Sequence, residues 1–135
     1  MNAVDTNVLF YAHDPRDPDK QLTAKSLIES LVDGVLLWQV ACEYLSASRK
    51  LEPLGYSRHQ ALQDVRDLRS AWRTILPSWQ VLEASHQLME EHSLSFWDAL
   101  ILAASQEAGV SRLYSEDIDP RMKLDGLEIV NPFTK

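Results

Sequence analysis

Four short stretches place an acid at the edge of an apolar run. They are Asn2-Ala3-Val4-Asp5, Val40-Ala41-Cys42-Glu43-Tyr44-Leu45, Ser95-Phe96-Trp97-Asp98 ahead of Ala99 to Ala104, and Leu113-Tyr114-Ser115-Glu116-Asp117. If these edges converge, the chain holds a pocket of carboxylates. Such oxygens suit hard divalent cations such as Mg²⁺ or Mn²⁺. Without a cation the acids repel one another and some must take up protons. With one, bound water becomes acidic and the charge on a phosphodiester is offset in the transition state. That inventory serves phosphodiester hydrolysis without a nucleophilic side chain.

Each acid also has an ordinary reading. Asp5 can simply cap a helix or make an Asx turn. Glu43 can be a surface helix residue. Asp98 completes a Ser95-x-x-Asp98 capping box, a role compatible with metal binding. Asp117 can be a turn residue, and Glu116 and Asp119 are close rivals for its place. The metal reading rests on four acids together at strand or helix ends.

The elements that must position them alternate along the chain. Met1 to Val4 reads as a strand running into Asp5. Asp14 to Lys20, with two prolines, reads as a loop. Thr23 is placed to cap a helix with an Ala24, Leu27, Ile28, Leu31 stripe. Val35 to Leu37 reads as a buried strand, and Gln39 to Lys50 as a helix with Glu43 in its first turns. Ser57 caps a long helix to about Thr74, whose stripe is Ala61, Val65, Leu68 and Trp72. Arg66, Arg69 and Arg73 then lie roughly 90° to one side of that stripe. Trp79 to Leu82 reads as a strand, Ala84 to Glu91 as a short helix, and the Asp98 segment as a helix ended at Gly109. Val110 to Ser115 and Leu127 to Val130 are the last strands. Alternating strands and helices predict an α/β fold with a central, mostly parallel sheet. Sites in such sheets form beyond the carboxyl ends of the strands. Asp5 and Asp117 follow strands, and Glu43 and Asp98 start helices, so convergence on one rim is plausible from chain position.

At 135 residues the length suits one domain, 1–135, with a sizeable core. The N-terminus lacks the pattern of a signal peptide, and the apolar runs are too short to span a bilayer. The single cysteine, Cys42, cannot form an internal disulfide. A cytoplasmic protein without a membrane partner is expected. The net charge of −7 argues against nucleic-acid binding in bulk, although basic residues can still gather on one face. Arg66, Arg69 and Arg73, with Arg49, Lys50 and Arg112, are the candidate phosphate contacts. His13, His59, His86 and His92 lack ligand spacing, and there is no phosphate loop.

The residues also resemble those of a known family. Asp5-Thr6-Asn7-Val8-Leu9, Glu43 in its apolar helix, Phe96 to Ala104, Leu113 to Asp117, and the ending Asp125 to Phe133 are similar, in order and spacing, to the motifs of PIN-domain ribonucleases. The compact length is similar to the VapC-type toxins of toxin–antitoxin pairs. The resemblance implies a three-layer α/β/α fold around a five-stranded parallel sheet. It implies that Asp5, Glu43, Asp98 and Asp117 are ligands of Mg²⁺ or Mn²⁺, with Thr6 or Asn7 and Ser115 supporting them by hydrogen bonds. It further implies endoribonuclease activity through metal-activated water, an RNA substrate with transfer RNA among the candidates, a homodimer, and a small antitoxin that covers the site.

Three other readings are weaker. A haloacid-dehalogenase-type phosphatase wants Asp-x-Asp after its first strand, and position 7 is Asn7. A receiver-like domain wants adjacent acids there and a lysine after a late strand; Leu113 to Asp117 contains no Lys. A non-catalytic PIN-like module with an acidic metal pocket is the remaining alternative, and the presence of all four acids weighs against it.

Overall fold

The structure is a computed structural model that describes residues 1–134. Strand β1 (Asn2–Val4) leads into helix α1 (Thr6–Tyr11) and helix α2 (Pro18–Ser30). Strand β2 (Gly34–Leu37) follows, then α3 (Trp38–Ala47), a 3₁₀ segment (Ser48–Leu54) and α4 (Arg58–Ala71). Strand β3 (Arg73–Ile75), α5 (Trp79–Glu91), α6 (Phe96–Glu107), β4 (Arg112–Tyr114) and β5 (Glu128–Val130) complete the chain. The five strands form one sheet in the order β3-β2-β1-β4-β5, and every pairing is parallel. The expected α/β class is observed, with an all-parallel rather than a mostly parallel sheet.

The strand order reverses at β1. The chain steps from β1 outward to β2 and β3, then returns to pair β4 on the other side of β1. Right-handed crossovers therefore send α2 to α4 over one face and α5 and α6 over the other. Accordingly α1 packs on α2 and α3, whereas α5 packs on α6. The gap between β1 and β4 is the switch point where such sheets open a crevice at their carboxyl ends.

The core lies on both sheet faces. Val4, Val8, Val35, Leu37, Val40, Ala99, Ile101, Leu102, Leu113 and Ile129 are all buried. Gly34 opens β2 directly beneath Trp72: a Cβ built there would stand 2.6 Å from the indole ring. Tyr44, Tyr56 and Asp64 link α3 to α4 through their hydroxyls and carboxylate.

Several element boundaries differ from the sequence expectation. Trp79 to Leu82 is the start of α5, not a strand. Ser78 caps that helix by accepting the Val81 N–H at 3.2 Å, and Val81, Ser85 and Leu88 form its buried stripe. The strand lies earlier, at Arg73–Ile75, because α4 stops at Ala71 and Trp72 turns extended. Helix α2 begins at Pro18 rather than after Thr23. Asp17 caps it, and a proline at the first helical position sacrifices no intrahelical bond. Helix α3 ends at Ala47 and tightens into the 3₁₀ segment instead of running to Lys50. The Ser57 and Ser95 caps stand where the sequence puts them.

Candidate metal centre

Asp5 is the residue at which β1 becomes α1. Its N–H continues the β1–β4 ladder by donating to the Tyr114 carbonyl at 2.8 Å. Its carboxylate caps α1, taking the Thr6 N–H on Oδ1 at 2.7 Å. Oδ2 takes the Ser115 hydroxyl at 2.7 Å. The Ser115 N–H in turn extends the β4–β5 ladder by bonding Val130, which holds Ser115 beside Asp5. Thus two chain segments 110 residues apart meet at one carboxylate.

Asp5 is only 4% exposed. Burial is the main force that pushes its carboxyl up from 3.8 to about 6, and the Asp98 and Glu43 charges push the same way. The Ser115 and Thr6 hydrogen bonds oppose them. Asp98, half-buried in the first turn of α6, is likewise raised by burial, with added repulsion from Asp117 and Glu43. These mutual repulsions couple all four acids across the crevice.

The other two are held by neutral donors. Glu43, on α3, accepts the Thr6 hydroxyl at 2.8 Å and the Gln39 amide at 2.9 Å. Asp117 accepts the Asn7 amide at 3.1 Å, and its own N–H bonds the Ser115 hydroxyl at 3.2 Å. Thr6, Asn7 and Ser115 therefore each bond a carboxylate of the set. Asp98 and Asp117 also line an open cleft of about 620 Å³ with Ser95, Ile118 and Met122.

Charge pairing separates these four acids from their neighbours. Asp119 is paired with Arg121, Glu116 with Lys20, and Asp14 with Arg16. Among the described residues, Asp5, Glu43, Asp98 and Asp117 have no Lys, Arg or His partner. They are a buried-to-exposed ladder of anions whose balancing charge is not in the protein. Among the described residues no group of three or more His, Cys, Asp or Glu side chains is drawn together closely enough to hold a metal ion as it stands. The donor set is all oxygen and open on one side. It fits a hard cation that keeps part of its water shell better than one enclosed by protein.

The basic candidates are not gathered here. Arg73 and Arg112 open β3 and β4 at the amino end of the sheet, the rim opposite the carboxylates. Arg73 reaches the Met1 sulfur, and Arg112 pairs with Glu128. Arg69 lies in the last turn of α4, heading for the same rim, and Arg66 one turn earlier. Arg49 and Lys50 are exposed on the 3₁₀ segment.

Sequence reading missed Gln39, whose amide ties Glu43 to the Trp97 carbonyl at 3.1 Å and so joins α3 to the start of α6. The Gln39-x-x-x-Glu43 spacing on one helix face was the available signal. It also passed over Tyr11 and Lys20, which hold Glu116.

A doubly wound α/β domain with a carboxylate set at its switch point is the class that fold and site define. Residues 3–123 match the PIN domain family, and the chain belongs to it. Solved structures of similar fold include a chain of a toxin–antitoxin complex from Klebsiella pneumoniae, 24% identical, with a TM-score of 0.72 and 98% of each chain covered. Mycobacterium tuberculosis VapC20, described as a sarcin-ricin loop cleaving toxin, is 19% identical, with a TM-score of 0.69 over 87% of this chain and 90% of that one. A chain of VapBC2 from Rickettsia felis, bound to a DNA fragment from its promoter, is 15% identical, with a TM-score of 0.65 over 95% and 96%. No curated protein sequence matches the chain. No helix among the described residues is long and apolar enough to cross a membrane.

Proposed function

We propose that this chain, as one domain over 1–135, is a metal-dependent endoribonuclease and the toxin of a type II toxin–antitoxin pair. The observation that carries the proposal is the charge pattern of the crevice. Asp5, Glu43 and Asp117 are held there by neutral donors and Asp98 joins them without a cationic partner, while the adjacent Glu116 and Asp119 have their own cations. Asp5, Glu43, Asp98 and Asp117 would hold Mg²⁺ or Mn²⁺, which supplies an acidified water and offsets phosphodiester charge when bound. Thr6, Asn7, Ser115 and Gln39 keep the carboxylates aimed into the crevice. Asp5, with the most strongly raised carboxyl, is ionised only above about pH 6, so cation binding would weaken below that pH. RNA as substrate and an antitoxin as protein partner draw support from the similar structures, one a sarcin-ricin loop cleaving toxin and one a chain of a toxin–antitoxin complex; a second copy of the chain is the further partner proposed.

Cleavage of a small-RNA pool by the purified, antitoxin-free protein tests this. Discrete fragments are expected with Mn²⁺ or Mg²⁺, and none with EDTA or with Asp98→Asn. Cleavage that persists with EDTA and with Asp98→Asn would sink the proposal. So would a folded protein that neither cuts RNA nor binds Mn²⁺.

A further inference from the structure

Glu116 stands between Ser115, which bonds Asp5, and Asp117 of the carboxylate set, yet its own carboxylate is bonded elsewhere. Tyr11 donates its hydroxyl to Oε1 at 2.8 Å, and Lys20 donates to Oε2 at 2.6 Å. The Lys20 ammonium also contacts the Tyr11 hydroxyl at 3.3 Å and lies 4.5 Å from the centre of that ring. On the outside the Phe133 ring closes over both, 5.6 Å from the ammonium and 5.1 Å from the Tyr11 ring. The Glu116 N–H meets the Asn7 side-chain carbonyl at 3.3 Å, and the same Asn7 amide holds Asp117.

We infer that Lys20, Tyr11 and Glu116 form a latch that positions Asp117 for the cation. The inference rests on the metal-centre reading above. The segment bearing Asp117 leaves the sheet after Tyr114 and is exposed at Asp117 itself. An exposed carboxylate on a loop loses conformational freedom each time it binds an ion. The latch fixes the preceding residue from α1 and α2, so most of that ordering is done beforehand. Both Glu116 oxygens are committed to protein donors, which makes it a positioning residue and leaves Asp117 as the acid that faces the crevice.

The test is Mn²⁺ binding by calorimetry at pH 7.5, with melting curves in EDTA alongside, on the full chain. Tyr11→Phe, Lys20→Met, Glu116→Gln and the charge-neutral Lys20→Met/Glu116→Gln double variant are compared with Asp117→Asn. Outer residues that orient ligands typically contribute 10- to 100-fold in metal affinity. A loss of about 10-fold is expected in each latch variant, no larger in the double variant than in the singles. Lys20→Arg restores binding. If Glu116 were instead a ligand, Lys20→Met would free it and tighten Mn²⁺, and that result would overturn the latch. Unchanged binding in Tyr11→Phe and in the double variant, with Asp117→Asn impaired, also overturns it. Unchanged binding in both Asp5→Asn and Asp117→Asn would instead remove the metal-centre reading itself. Melting curves for Tyr11→Phe that stay level with the parent while Mn²⁺ affinity drops separate positioning from a general loss of packing.

Discussion

Asp5→Asn should make the metal-free protein more stable and, at the same time, unable to bind its cation. The Asp5 carboxyl ordinarily ionises near 3.8 and is pushed to about 6 in the folded chain, chiefly by burial. At about 1.4 kcal/mol per pH unit, ionised Asp5 costs the folded state about 3 kcal/mol. The sign follows from linkage. The folded state holds the proton more tightly, so its advantage is complete below pH 3.8 and is lost as the pH rises to about 6. Above that the metal-free protein carries the full cost, and asparagine removes it. For a chain of this size, about 3 kcal/mol corresponds to a rise in Tm of about 10 °C. The assay is thermal unfolding in EDTA at pH 7.5 and at pH 4. The variant should melt higher at pH 7.5, and the gap should shrink to below about 1 kcal/mol at pH 4. Added Mn²⁺ should then stabilise the parent by mass action but not Asp5→Asn. A variant no more stable than the parent at pH 7.5, or a gap unchanged at pH 4, would refute the reasoning.

Two further predictions address the supports of the site and of the sheet. Ser115→Ala removes the hydroxyl that bonds Asp5 and receives the Asp117 N–H, so the Asp5 carboxyl moves further up. Mn²⁺ affinity at pH 7 should fall about 10-fold and recover in part at higher pH, as calorimetry at two pH values would show; equal loss at both would count against the cause given. Gly34→Ala drives a methyl to 2.6 Å from the Trp72 ring and should cost about 1–3 kcal/mol by denaturant unfolding. Substitution with no loss would mean that the indole moves aside freely.

Much of the site was legible because its acids sit where apolar runs stop. Val4 and Leu113 are fully buried strand residues, and the polar residues just after their strands had to fall on the sheet's carboxyl rim. Asp98 was legible through its capping serine, which is the local signal that starts α6. The third strand was not. Arg73-Thr74-Ile75 is three residues long with a charged first member, too short to show a period, and the preceding stripe at Leu68 and Trp72 runs straight into it. Trp79 to Leu82 imitated a strand, although Trp79 is 78% exposed and only Val81 is buried. At α2 the two prolines pointed to a loop, whereas Pro18 sits at the one helical position that accepts proline without loss.

Glu116 could not be told from Asp117 in the local sequence, because its Lys20 partner comes from a distant helix, whereas the Arg121 partner of Asp119 lies only two residues away. All three lie within a five-residue stretch after β4, and each is an ordinary turn acid on its own. Arg121 folds back onto Asp119 with two side-chain bonds of 3.1 Å, and Lys20 arrives on Glu116 from a helix 96 residues earlier. Asp117 receives only the Asn7 amide and the repulsion it shares with Asp98. Neutral donors orient an anion without cancelling its charge, so the crevice keeps its negative charge. Among the described residues, acids elsewhere, such as Asp17, Asp19 and Asp67, also lack an ion-pair partner, so these four are set apart by their convergence at one rim, where Asp5 and Asp98 feel the charges of the others.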